Sequence, residues 1–367
     1  MRILHHHLVK EFLGPFFFCV FGFLMLFVLG RGLIQMADFI FNKSVDALLV
    51  LQLLLYSLPF MLIFIIPMSV LIATLLMFRK LSTDNEILAM RATGMALSRM
   101  TAPLFAVVTI LALCTLILSD RVASESHYNY RLLLTKIGLE NPAAALEEGT
   151  FIKKFKRFVI FIYEIDKNKL KGIRIYQPQE GRAARTIIAQ KGELISIPER
   201  GIIKLKLVHG TSDEPDPKDP TKLYKLNFKT YDLPLNIADL KESDKQPGKK
   251  PKDMTLRELR DEIERLGQEG IKATYSLSTE IHNKIAMALS CLTFLLIGIP
   301  LGVTTRRSDR SMSFGLGLVV LTAYWTLLIG GKALAQKGLA PPLLSMEFSN
   351  VALGCIGLWL FSRMART

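Results

Sequence analysis

Six long apolar runs constrain this 367-residue chain more than any other feature. A helix needs about 20 consecutive apolar residues to cross the ~30 Å hydrocarbon layer of a bilayer. Windows of that kind lie at about 12–35, 52–78, 101–119, 283–304, 314–335 and 343–362. The first, FLGPFFFCVFGFLMLFVLGRGLI, follows Lys10 as the core of a secretion signal would, but its apolar run is too long and no small-residue cleavage site follows. It reads as a retained anchor, and the chain as a polytopic membrane protein. The spans are gathered at the two ends, leaving a polar middle.

Basic residues in the short loops and tails set the expected orientation. Arg2, Lys10, Arg79, Lys80, Arg91, Arg99, Arg306, Arg307, Arg310, Arg363 and Arg366 fall on one side, against Arg31, Lys43, Lys332 and Lys337 on the other. Both termini are therefore expected in the cytoplasm and the long middle segment outside. The net charge of +14 does not gather into one stripe with interleaved aromatics, which argues against nucleic acid as a partner. Residues 121–275 hold 30 Lys and Arg against 23 Asp and Glu, a surplus of seven, and the rest of the chain carries the other seven. The four cysteines, Cys19, Cys114, Cys291 and Cys355, all lie in apolar windows and show neither disulfide nor metal spacing.

The middle segment changes period. GTFIKKFKRFVIFIYEID, KLKGIRIYQ, RTIIAQKGELISI, GIIKLKLVHGT and KLYKLNFKTYDLPL are short, β-branched and aromatic, and bounded by Gly, Pro, Asn and Asp turns. Ile203, Leu205 and Leu207 alternate with Lys204 and Lys206, which gives one apolar face. The expected fold class is an α+β membrane protein: six transmembrane helices with an antiparallel β-jelly-roll domain between the third and fourth. The expected division is 1–120 for the first three spans, 121–275 for the β domain with its flanking segments, and 276–367 for the last three spans. SDKQPGKKPKD at 243–253 reads as a flexible linker. It leads to an amphipathic helix over 255–267, where Thr255 and Glu258 stand at capping-box spacing and Leu256, Leu259, Ile263 and Leu266 share a face.

Several motifs carry less chemistry than they first suggest. His5, His6 and His7 point 100° apart on a helix and cannot close a metal site unaided, so an interfacial anchor is the better reading. Gly331 and Lys332 lack the Ser or Thr and the leading Gly of a phosphate loop. No catalytic motif is recognisable, and no cofactor or metal site of the chain's own is expected. Arg31 and Lys332 stand near the outer ends of the first and fifth spans. They either snorkel to headgroups or line a cavity for an anionic amphiphile.

RKLSTDNEILAMRATGMALSRM, residues 79–100, sets a charged, helix-forming element between two spans. Ser82 can cap a helix whose first turn holds Asp84, Asn85 and Glu86, Ile87, Leu88 and Met90 continue it, and Gly94 can end it. A short helix over about 82–93 with an acidic start and an apolar body suits a groove on a cytosolic partner.

KLSTDNEILAMRATG, EEGTF before the strands, TEIHNKIA entering the fourth span and IPLGVTTRRSDRSMSFG after it resemble the lipopolysaccharide-export permease family over essentially the whole chain. The first and last of these motifs are the specific ones, and KLSTDNEILAMRATG leans toward the F-type permease. The resemblance implies a non-catalytic transmembrane subunit of an ATP-driven transporter in the bacterial inner membrane. It also implies a homologous second permease, a dimeric cytosolic ATPase that holds the ATP and magnesium, a bitopic periplasmic jelly-roll protein, and lipopolysaccharide as cargo. Glu86, with Asp84 and Leu88, matches the ATPase-coupling element. Arg31 falls where the family carries basic residues facing the lipid's phosphates, whereas Lys332 has no firm match. Ile203, Leu205 and Phe161 are expected to meet acyl chains in the β domain. A membrane-anchored mechanical transmitter or scaffold is the rival reading, with a filled β core as its mark, and a lipid-modifying enzyme would need a constellation that the sequence does not contain.

Overall fold

A computed structural model describes residues 2–32, 39, 45–140, 149, 151–155, 158–166, 169–179, 182–197, 202–215, 223–236, 248–268, 274–304 and 310–366. Six of its helices are long and apolar enough to cross a membrane: Ile3–Gly30, Ala47–Thr83, Leu97–Ile137, Tyr275–Thr304, Gly315–Gln336 and Pro342–Met364. They are the six runs read from the sequence, with most ends shifted by five residues or fewer, the starts of the first and fourth by nine and eight, and the end of the third by 18. Helices outlast their apolar windows because polar residues at a bilayer's edge still satisfy their backbone groups internally. The second span has 37 residues, about 55 Å at 1.5 Å per residue, so it extends well past the hydrocarbon. The third passes through a π-helical turn, Leu118–Val122, and continues as a helix over Ala123–Glu140 that hydropathy alone did not signal.

The chain divides into two compact units. One comprises Met1–Gly30, Tyr56–Tyr128 and Lys249–Thr367, and the other Arg31–Leu55 and Asn129–Gly248. The helix Leu256–Gln268 thus goes with the spans and not with the strands, because Leu259 is fully buried there. The linker reading also changes. Residues 243–247 lie outside the described residues, but 250–253 are fixed by a 3₁₀ turn, Pro251–Asp253, whose Asp253 is buried and accepts from the Lys250 N–H at 2.9 Å.

The spans' unit is built around the fourth span, and small residues on the fourth and fifth spans permit close approach of the helices. A Cβ on Gly302 would lie 2.8 Å from Phe78 Cβ, and one on Gly331 would lie 2.1 Å from the Ser345 carbonyl oxygen. Leu8, Phe12 and Phe16 form a buried i, i+4 stripe on the first span and join one cluster with Met77, Phe78, Leu81, Leu104 and Leu295.

The second unit carries one six-stranded sheet, ordered β1 (Phe151–Phe155), β2 (Phe158–Asp166), β3 (Lys169–Gln179), β4 (Arg182–Ile197), β5 (Ile202–Pro215) and β6 (Leu223–Asn236), with every neighbour antiparallel. The α+β class stands, with the antiparallel β domain between spans three and four. Its described connectivity is a meander; a jelly roll would bring non-consecutive strands together. Two to seven residues of sequence separate each strand from the next, so neighbours in sequence pair with one another. Ile160, Ile162, Leu170, Ile173, Ile175, Ile187, Ala189, Leu205, Leu207 and Leu233 form its core. All belong to strands, so the sheet curves about its own apolar face.

That face changes phase along the strands. Ile162, Ile173 and Ala189 are one set of cross-strand partners, and Leu170, Gly192 and Leu207 are another set three residues further along, both inward. An odd spacing normally reverses a side chain's face. Gly172 at φ 63° and His209 at φ 53° stand between the two sets on β3 and β5, and their left-handed backbone turns the following side chain back to the same face while the strand register is unchanged on either side. A Cβ at Gly172 would lie 2.9 Å from the Tyr163 ring, so glycine is required there twice over.

Candidate coupling element and lipid-facing sites

The connecting helix between spans two and three runs over Glu86–Ala92, four residues later than Ser82 would start it. Leu81 and Ser82 are buried and continue the second span, so the turn is made at Asp84 and Asn85, the latter left-handed at φ 59°. Gly94, at φ 79°, closes the helix and donates its N–H to the Arg91 carbonyl at 2.9 Å. Ile87 is buried among Leu97, Met100 and the first span, while Leu88 is 61% exposed and Asp84 is exposed beside it. Arg91 donates to the Met364 carbonyl at 2.5 Å and ties the helix to the last span. Glu86 is half-exposed and is met by His7 of the first helix at 3.2 Å, with Lys80 and Glu11 paired at 2.7 Å nearby in sequence. The histidine run thus has a partner in an acid, which no local pattern could reveal. Among the described residues no three ligating side chains converge as a metal would require.

An apolar cleft of about 440 Å³ opens between the first, second and fifth spans. Phe23, Met68, Ile72, Leu321, Trp325 and Ile329 line it. Thr322, Trp325 and Ile329 form one stripe on the fifth span, and Lys332 continues that stripe by one further turn. Lys332 is held by Glu280 at 2.9 Å, and Glu280 also accepts from Asn283 at 3.1 Å. The lysine therefore has a protein counter-charge, and Glu280, inside TEIHNKIA, is a partner that sequence reasoning missed. Arg31 lies in the π-helical turn Val28–Gly32, and its side chain lies outside the described residues.

In the sheet, Leu205 and Leu207 are buried on the inner face, and Lys204, paired with Asp232 at 2.6 Å, is on the outer one, as the alternation predicts. The Ile203 side chain lies outside the described residues, although its backbone pairs with Ser196 and Leu235. Phe161 does not join them. It sits between inward Ile160 and Ile162, and its cross-strand partners are Phe151 and Arg174. Its ring is 4.9 Å from those of Phe151 and Tyr163, in an aromatic row on the outer face. Pairing Phe161 with Leu205 required the register across four strands, which one strand's alternation does not supply.

A family model for the lipopolysaccharide export system permease LptF/LptG matches residues 6–363. The chain belongs to this family. The match spans both units and all six membrane helices, so the LptF/LptG permease pattern includes the connecting helix, the sheet and the strap at Met254–Leu256 that follows it. The family is one of transporter subunits of the export system and not of catalytic enzymes. An uncharacterized protein of Rickettsia prowazekii (strain Madrid E) is 23% identical over 157 residues, which covers 42% of this chain and 44% of that protein. The chain thus spans less than half the length of the curated relative it matches.

Proposed function

We propose that this LptF/LptG-family permease is one of two homologous membrane subunits that extract lipopolysaccharide from the outer leaflet of the bacterial inner membrane, with hydrolysis of ATP and magnesium binding supplied by a dimeric cytosolic ATPase. The observation that carries this reading is the apolar cleft among spans one, two and five. Drawing acyl chains bare through water costs about 0.8 kcal/mol for each CH₂ exposed, or tens of kcal/mol for a lipid with several chains. A cleft lined by Phe, Leu, Ile and Trp removes most of that cost before the lipid leaves the bilayer. Arg31 and Lys332, at the ends of the spans that border the cleft, suit the phosphates of the headgroup, Lys332 by exchanging Glu280 for the lipid. Glu86, Asp84 and Leu88 form the face offered to the ATPase, with both termini cytoplasmic and the β unit periplasmic. The leaning toward the F-type permease rests on KLSTDNEILAMRATG.

From the cleft the lipid passes to the inner face of the β unit at Ile203 and Leu205, and on to a bitopic jelly-roll partner. β6 supports this last step. It is an edge strand with one partner among the described strands, and its Tyr224 and Leu226, in register with the inner face, are more than half exposed. Such an edge accepts a further strand.

One observation favours the rival reading of a mechanical transmitter. The inner face at Ile162, Ile173 and Leu207 is fully buried, which leaves a filled core. Lipid can enter only if the sheet opens. Purification in detergent with both ATPase and second permease, followed by mass spectrometry of retained lipid, tests the transport reading. Lipopolysaccharide retained by the complex and released on ATP hydrolysis is expected; a lipid-free complex that hydrolyses ATP supports the transmitter.

A further inference from the structure

Lys284 lies in the first third of the fourth span and its side chain is only 4% exposed. An ammonium group there requires partners, because burial without them strongly disfavours the charge. It has three, two hydrogen-bond acceptors and one carboxylate as counter-charge. Nζ donates to Ser124 Oγ at 2.7 Å and to the Met254 carbonyl at 2.6 Å, and lies 3.6 Å from Asp120 Oδ1. Asp120 stands in the π-helical turn within the third span, and the same oxygen accepts the Leu256 N–H at 2.5 Å. Ser124 Oγ lies 3.1 Å from the Met254 carbonyl as well. One cation therefore joins the π-helical turn of span three, the first third of span four and the strap at Met254–Leu256.

The joint continues outward along the chain. His127 Nδ1 meets Asp253 Oδ1 at 2.5 Å, Lys249 pairs with Glu258, and the Lys249 ammonium sits 5.8 Å from the Tyr128 ring centre. Residues 120–128 and 249–258 are the two segments that lead into and out of residues 129–248. A buried ion pair is a weak source of stability compared with apolar packing of the same volume, but it fixes register well. We propose that Lys284 is a positioning residue that fastens the strap to the fourth span, so that displacement of that span in the transport cycle is carried to both chain crossings of the β unit. This rests on the transport reading.

The complex with the second permease and the ATPase, reconstituted in nanodiscs with lipopolysaccharide, tests it. In Lys284→Met the backbone amides of Leu256–Leu259 are expected to exchange at least tenfold faster, with the amides of the fourth span's interior unchanged. ATP hydrolysis should stay within twofold of the wild type while lipopolysaccharide release falls at least tenfold, and Lys284→Arg should recover part of it. Unchanged exchange at Leu256–Leu259 overturns the fastening. Faster exchange with release still within twofold overturns the positioning role, as does loss of assembly and hydrolysis together with release. A wild-type complex that moves no lipopolysaccharide overturns the transport reading instead, a result no Lys284 variant can mimic.

Discussion

His7 Nε2 lies 3.2 Å from Glu86 Oε2, across 79 residues of sequence. Both side chains are about 40% exposed, so the pair adds little to folding, under about 1 kcal/mol. Its effect is to set where the carboxylate points on the connecting helix. Glu86→Ala should leave thermal unfolding nearly unchanged while weakening co-purification with the ATPase about tenfold or uncoupling hydrolysis from transport. His7→Ala should show the same defect in weaker form. Wild-type assembly and transport in Glu86→Ala would remove the coupling role.

Lys332 and Glu280 form a pair whose acid is more deeply buried than its base. Lys332→Ala leaves that acid uncompensated and should cost about 1–3 kcal/mol in unfolding measurements. The double variant Lys332→Gln with Glu280→Gln should recover most of the loss. If lipopolysaccharide loading stays impaired in the stable double variant, the lysine also serves the lipid's phosphates; recovery of loading with stability would confine it to the pair.

The opposite faces of Leu205 and Phe161 give a sharp contrast. A photo-crosslinking residue at Leu205 should capture acyl chains when ATP is hydrolysed, and one at Phe161 should not, although both are apolar and neither lies in a membrane span. Equal capture at the two positions would mean that lipid runs over the outer aromatic row. Capture at neither, with transport intact, would leave the β unit as a scaffold.

Burial pushes the Glu258 carboxyl up, but hydrogen bonds from Lys249 and from the Thr255 N–H and hydroxyl outweigh it and hold the group below its ordinary value. Its stabilising contribution is therefore present above the ordinary glutamate pKa of about 4.3 and is lost as pH falls through the lower folded value. First-turn amides of Leu256–Gln268 should stay protected from pH 7 to about 5 and lose protection below about 4. Glu258→Gln should flatten that profile; an unchanged profile would show that another group controls the helix start.

The sequence by itself determined whatever depends on neighbours along the chain. The six spans follow from runs long enough for a bilayer, whatever they pack against. The capping box is drawn as its spacing requires, with Thr255 N donating to Glu258 and Glu258 N to Thr255 Oγ1, because both groups lie within one turn. The same locality made Leu205 and Lys204 legible as opposite faces of one strand. Tertiary structure decided the rest. Ser82 could cap a helix in isolation, but burying Leu81 keeps it inside the second span. The face of Phe161 depends on a register set by strand pairing with β1 and β3. His7, Lys332 and Lys284 find Glu86, Glu280 and Asp120 at separations of 79, 52 and 164 residues. Periodicity reports which side of a helix or strand a residue occupies, whereas a buried charge takes its partner from whichever element the fold brings against it.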